Sequence, residues 1–170
     1  MFGGGRVTGT LPDIAVAGGT FQNYGGVTDT VTQTGGVANN LGSVYRLELS
    51  GGTFNNAVRI INDLPGQTPE TLTGSITNRV TQPGGTLNNT GSLAGATTVS
   101  GGLLDNQTGG TIANLTVAGT QGGTSGSATN TGVITSARLT GGGSLTNRSG
   151  GSIGTVDNGG TFINEAGATV

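Results

Sequence analysis

The chain has 170 residues, of which 37 are glycine, 8% are charged and 4% are aromatic, and its formal net charge is −2; glycine stands about threefold above its usual share of about 7%. Cysteine, histidine, lysine and tryptophan are absent, which excludes thiolate and imidazole metal sites, Cys or His nucleophiles, Ser-His-Asp triads, a P-loop lysine and lysine-rich nucleic-acid patches. The weak charge gives no electrostatic reason to bind nucleic acid or an anionic membrane, and with four prolines and no Gly-X-Y period the chain is not collagen-like.

Taken in chain order, one unit recurs. Gly-Gly-Thr-apolar-x-Asn stands at Gly18–Asn23, Gly51–Asn56, Gly84–Asn89, Gly109–Asn114 and Gly159–Asn164, with looser copies at Gly35–Asn40, Gly101–Asn106 and Gly142–Asn147 and a degenerate one at Gly122. A second unit is Gly-Ser-apolar, as at Gly42–Val44, Gly74–Ile76, Gly91–Leu93 and Gly151–Ile153, and a third is an apolar residue just ahead of the next Gly-Gly, as at Leu49, Val99, Leu139 and Val156. Most steps between the glycine pairs are 16 or 17 residues, with steps of 21 and 20 on either side of Gly122. A repeat this short, rich in Thr, Val, Ile and Phe, bounded by glycine and lacking a 3.6-residue period, predicts strands and not helices.

Three short strands per repeat, parted by glycine corners, describe one coil of an all-β, single-stranded parallel β-helix, a β-solenoid of eight to nine short coils. One coil cannot bury its apolar face alone, so the repeats must stack. Phe21, Phe54, Leu87, Leu104, Leu145 and Phe162 then form one inward column, with Val44, Ile76, Leu93, Ile112 and Ile153 in a second. Leu49, Val99, Leu139 and Val156 form a third. Asn23, Asn40, Asn56, Asn89, Asn106, Asn147 and Asn164 form a structural column, placed at a turn where asparagine tolerates left-handed backbone and stacked amides can bond from coil to coil.

Gly51 to Gly84 is 33 residues, and the excess lies between Asn56 and Gly74. This predicts a single solenoid over residues 1–170, with a loop protruding at about 57–73. Long loops on rigid scaffolds tend to carry function. Arg59, Asp63, Glu70 and Arg79 in or beside this one are the candidate binding residues, and Asp63 with Glu70 could serve as an acid pair on a polysaccharide. The other acidic residues are scattered, so no catalytic residues are assigned and no enzyme activity is expected. No metal or cofactor is implied: Gly141–Thr146 lacks the aspartate of a calcium-binding repeat. The threonine column Thr20, Thr53, Thr86 and Thr161 is interrupted by Val37, Leu103 and Ser144, against an ice-binding array.

Stretches such as Gly84–Gly102 (GGTLNNTGSLAGATTVSGG) and Gly141–Asn164 (GGGSLTNRSGGSIGTVDNGGTFIN) resemble the passenger region of bacterial autotransporters and large adhesins. The resemblance spans nearly the whole chain. It implies a right-handed β-helix on a Gram-negative cell surface, anchored in the outer membrane through regions outside this sequence, and acting in adhesion, self-association, biofilm or filament formation. The implied partners are a second copy of the chain, by edge or end-to-end stacking, or a host or cell-surface glycan or protein. The start of the chain has no signal-peptide pattern and no apolar run is long enough to span a membrane, so this reading expects a fragment of a longer protein. The alternative is a polysaccharide-binding or polysaccharide-cleaving β-helix, as in phage tailspikes.

Overall fold

In the computed structural model, which describes residues 5–61, 70–119 and 123–170, the chain is an all-β parallel solenoid of about eight stacked coils. Each coil contributes one short and one long strand. The short strands, Thr20–Asn23, Val37–Asn40, Thr53–Asn56, Thr86–Asn89, Leu103–Asn106, Ser127–Asn130, Ser144–Asn147 and Thr161–Asn164, stack in parallel register above Gly5–Val7 into one sheet. The long strands, Gly26–Gln33, Ser43–Leu49, Ser75–Gln82, Ser92–Val99, Thr111–Ala118, Val133–Thr140 and Ser152–Asn158, form the second, with Thr10–Leu11 and Ile14–Val16 at its edge.

The coil therefore has two strands and not three. The second and third expected strands are halves of one long strand bent in its middle. In Ser75–Gln82 the inward residues are Ile76, Val80 and Gln82, so three consecutive side chains, Thr77, Asn78 and Arg79, face out where strict alternation would turn one of them in. Strand pairing is irregular at the same place, between Ile76 and Arg79. This corner needs no glycine pair.

The glycine corners are made elsewhere, and both glycines of a pair lie against the coil below: a Cβ on Gly51 would stand 2.5 Å from the Thr34 carbonyl oxygen, and a Cβ on Gly52 would stand 2.5 Å from the Gly36 carbonyl oxygen. The second also adopts positive φ, as at Gly52 (φ 76°) and Gly85 (φ 70°), which a Cβ would strain.

Inside, the first expected column is continuous in register from Phe21 through Ala38, Phe54, Leu87, Leu104, Ala128 and Leu145 to Phe162, with all but the half-buried Phe162 fully buried. The second column, Val44 to Ile153, also takes in Val27 and Ile134. The third is corrected in two ways. Val156 pairs with Ala137 and belongs to a fourth column with Ile14, Val31, Leu47, Val80, Thr97 and Leu115. Beside Leu49 and Val99 stand two buried glutamines, Gln33 and Gln82. Their side-chain amides donate into the corners, Gln33 to the carbonyls of Gly35, Gly36 and Thr53 and Gln82 to those of Gly85 and Leu103, adding a second donor at the Gly36 and Gly85 carbonyls, which already accept the backbone N–H of Thr53 and of Leu103.

The asparagine column is a ladder inside the corner, not a set of left-handed turn residues: no described non-glycine residue has positive φ. Each Asn Nδ2 donates to the Oδ1 of the asparagine one coil on, at 2.7–2.8 Å, from Asn23 through Asn40, Asn56, Asn89, Asn106, Asn130 and Asn147 to Asn164. Nδ2 also donates to a backbone carbonyl of the next coil, that of Ser92 from Asn56 and of Thr111 from Asn89. Asn130 is a member that the motif search misses, and Gly109–Asn114 is not a copy at all: Thr111 opens a long strand and Asn114 lies outside the ladder. The ladder resets the irregular steps. Asn106 to Asn130 is 24 residues and Asn130 to Asn147 is 17, so one coil is long and the next is regular.

Candidate functional site

The strand Thr53–Asn56 pairs directly with Thr86–Asn89, so the 33 residues that separate Asn56 from Asn89 make a single coil. Its surplus leaves the corner as an antiparallel hairpin, Val58–Ile61 with Glu70–Thr73. The hairpin closes where Gly74 N–H donates to the Ala57 carbonyl at 2.7 Å. Val58 opposes Thr73, Arg59 opposes Leu72 and Ile61 opposes Glu70. Asp63 lies outside the described residues.

The hairpin and the first coils enclose a groove of ≈ 280 Å³ lined by Gln22, Tyr24, Asn39, Leu41, Ala57, Val58 and Arg59. Its floor comes from the position just after each ladder asparagine. That position reads Tyr24, Leu41, Ala57, Thr90, Gln107, Thr131, Arg148, Glu165 along the solenoid. The backbone N–H of each, from Leu41 onward, donates to the ladder asparagine of the coil below. The column is apolar or aromatic only in the three coils beside the hairpin. Leu41 is 8% exposed yet is absent from the cluster of core side chains; it is buried on the outside of the corner.

Of the candidate residues whose side chains are described, Arg59 and Arg79, the groove takes up Arg59. Arg79 sits on the long-strand sheet in register with Arg46 of the preceding coil. Arg46 is held by Asp29 at 3.3 Å and lies over the Tyr45 ring, its Cζ 5.4 Å from the centroid. Glu70 is placed on the return strand of the hairpin. Sequence reasoning missed Gln22, Tyr24, Asn39 and Leu41. The available signal was the post-asparagine column, which changes character at the coil where the insertion begins.

A second feature is the outward face of the short-strand sheet. Alternation turns two side chains per strand outward, the first and the third. The first reads Thr20, Val37, Thr53, Thr86, Leu103, Ser127, Ser144, Thr161, and the third reads Gln22, Asn39, Asn55, Asn88, Asp105, Thr129, Thr146, Ile163. Over these sixteen positions Asp105 is the single charge, and its carboxylate accepts from Thr129 Oγ1 and from Gln107 Nε2. Part of the column is a second amide ladder: Asn88 Nδ2 donates to Asn55 Oδ1 at 2.9 Å, and Asn55 Nδ2 donates to Asn39 Oδ1 at 2.8 Å.

Among the described residues no group of three or more Asp, Glu, His or Cys could hold a metal ion, and no helix is long and apolar enough to cross a membrane. Neither a family model, nor a curated protein, nor a solved structure matches the chain. Its likeness to autotransporter passengers therefore rests on the repeat motif and on the solenoid fold.

Proposed function

We propose that this solenoid is an adhesive, self-associating segment displayed outside a bacterial cell, acting by side-to-side contact between copies and not by catalysis. The observation that carries this reading is the outward face of the short-strand sheet. It repeats hydroxyls and amides at the strand spacing of about 4.8 Å. Bringing two such faces together desolvates almost no charge, which avoids the largest cost of polar contact. Each hydroxyl or amide pair adds little on its own, about 1 kcal/mol net at most, and the repetition along eight coils multiplies it. The passenger-like motif supports an extracellular setting.

Sedimentation of the 170-residue chain over a concentration series tests the proposal. The expected result is reversible dimers that vanish in the double variant Thr53→Arg/Thr86→Arg, which sets two like charges on the face, and persist in Thr32→Arg on the other sheet. A chain that stays monomeric at all concentrations, or dimers that survive the double variant, would overturn it.

A further inference from the structure

We propose that the groove beside the hairpin binds an acidic sugar, a hexuronic acid residue within an oligosaccharide. Its carboxylate would sit on the Arg59 guanidinium, its hydroxyl oxygens on the amide N–H groups of Asn39 and Gln22, and a C–H face of its ring on Tyr24 and Leu41. This site shares Gln22 and Asn39 with the outward sheet face, but the proposal does not rest on the self-association reading.

The argument begins with hydrogen-bond direction. The outer amide ladder runs from Asn88 through Asn55 to Asn39, so Asn39 uses its oxygen as acceptor and ends the ladder with its Nδ2 hydrogens unspent. Hydrogen bonds in a chain polarise one another, which strengthens the terminal donor. Gln22 Oε1 accepts from the Tyr24 hydroxyl at 3.4 Å, which leaves the Gln22 amide as a donor too. Arg59 is exposed, makes no ion pair among the described residues, and can only donate. The polar lining thus offers N–H groups, its two amide oxygens each already accept a hydrogen bond, and among the described residues no Asp or Glu lines the groove. Such a site favours an anion rich in acceptor oxygens, and a planar guanidinium matches a carboxylate in particular.

The apolar floor separates a sugar from a bare anion. Tyr24 and Leu41 give a surface that a small inorganic ion would leave unused, whereas a sugar ring presents C–H groups on one side and hydroxyls on its rim. The volume, ≈ 280 Å³, lies at the low end of ligand pockets, about 300 Å³, a size for a sugar ring within an oligosaccharide that continues outside.

Calorimetric titration of the 170-residue chain with trigalacturonate, its methyl ester and triglutamate tests this. The expected result is millimolar or tighter binding of trigalacturonate, at least tenfold weaker binding of the ester and of triglutamate, and unchanged binding in Arg138→Ala on the far sheet. Arg59→Ala and Asn39→Asp should each weaken binding tenfold or more, with melting temperatures close to the parent, since both side chains lie outside the core. Absence of trigalacturonate binding, equal binding of the ester, or indifference to both variants would overturn the proposal; equal binding of triglutamate would overturn the sugar in favour of an acidic peptide. Sedimentation of Thr53→Arg/Thr86→Arg reads the other proposal, so either can fail alone.

Discussion

Two amide ladders climb this solenoid, built from the same residue and running in opposite directions. The inner one starts at Asn23 and ends at Asn164, with Asn23 through Asn147 all buried and each amide donating both to the next asparagine and to a backbone carbonyl. The outer one joins only Asn88, Asn55 and Asn39, half-buried at the surface, and ends at the groove. Position decides what the amide does. In the interior water cannot replace a lost partner, so the hydrogen bonds act as scaffold; at the surface water can, so the terminal donor is open to a ligand.

The comparison breaks most sharply at Asn89. Asn89→Asp places a carboxylate against the Oδ1 of Asn106 in a site with no exposure, and denaturant unfolding should show a loss of about 3–5 kcal/mol, the scale of an uncompensated buried charge. Asn89→Ala should cost less, about 2–3 kcal/mol, because it leaves Asn56 Nδ2 and Asn106 Oδ1 short of a partner without adding charge. Joining Ala57 to Gly74 by deleting residues 58–73 leaves Asn56-Ala57-Gly74, the same spacing as Asn89-Thr90-Gly91. With the inner ladder and all apolar columns intact, its stability should fall within about 1 kcal/mol of the parent, while trigalacturonate binding is lost. The smallest effect is expected for Asn88→Ala in the outer ladder, about 0.5 kcal/mol by the same unfolding assay. If Asn88→Ala cost as much as Asn89→Ala, burial would not be what separates the ladders.

The solenoid was legible in the sequence because stacking demands repetition: the same slot in each coil meets the same environment, so Phe21, Phe54 and Leu87 recur at the coil step. What escaped was whatever the coil achieves without a repeated residue. The bend at Thr77–Arg79 uses three outward side chains and no glycine. The strand Ser127–Asn130 hides its asparagine because Ala128 replaces the bulky apolar residue and no glycine pair introduces it. Val156 precedes a Gly-Gly as Leu49, Val99 and Leu139 do, yet the pairing with Ala137 moves it to the neighbouring column. The groove was hidden for a different reason. Gln22, Tyr24, Asn39 and Leu41 belong to two earlier coils and meet Arg59 only because coils stack, so proximity along the chain could not point to them.

The most direct measurement of the difference between the ladders is hydrogen exchange at the asparagine side-chain amides, followed by nuclear magnetic resonance. Buried hydrogen-bonded groups exchange only when the surrounding structure opens. The Nδ2 hydrogens of Asn40, Asn56, Asn89, Asn106 and Asn130 should therefore exchange orders of magnitude more slowly than those of Asn39, with those of Asn55 and Asn88 between. Exchange at Asn56 and Asn89 as fast as at Asn39 would contradict the account: the inner ladder would then be no scaffold.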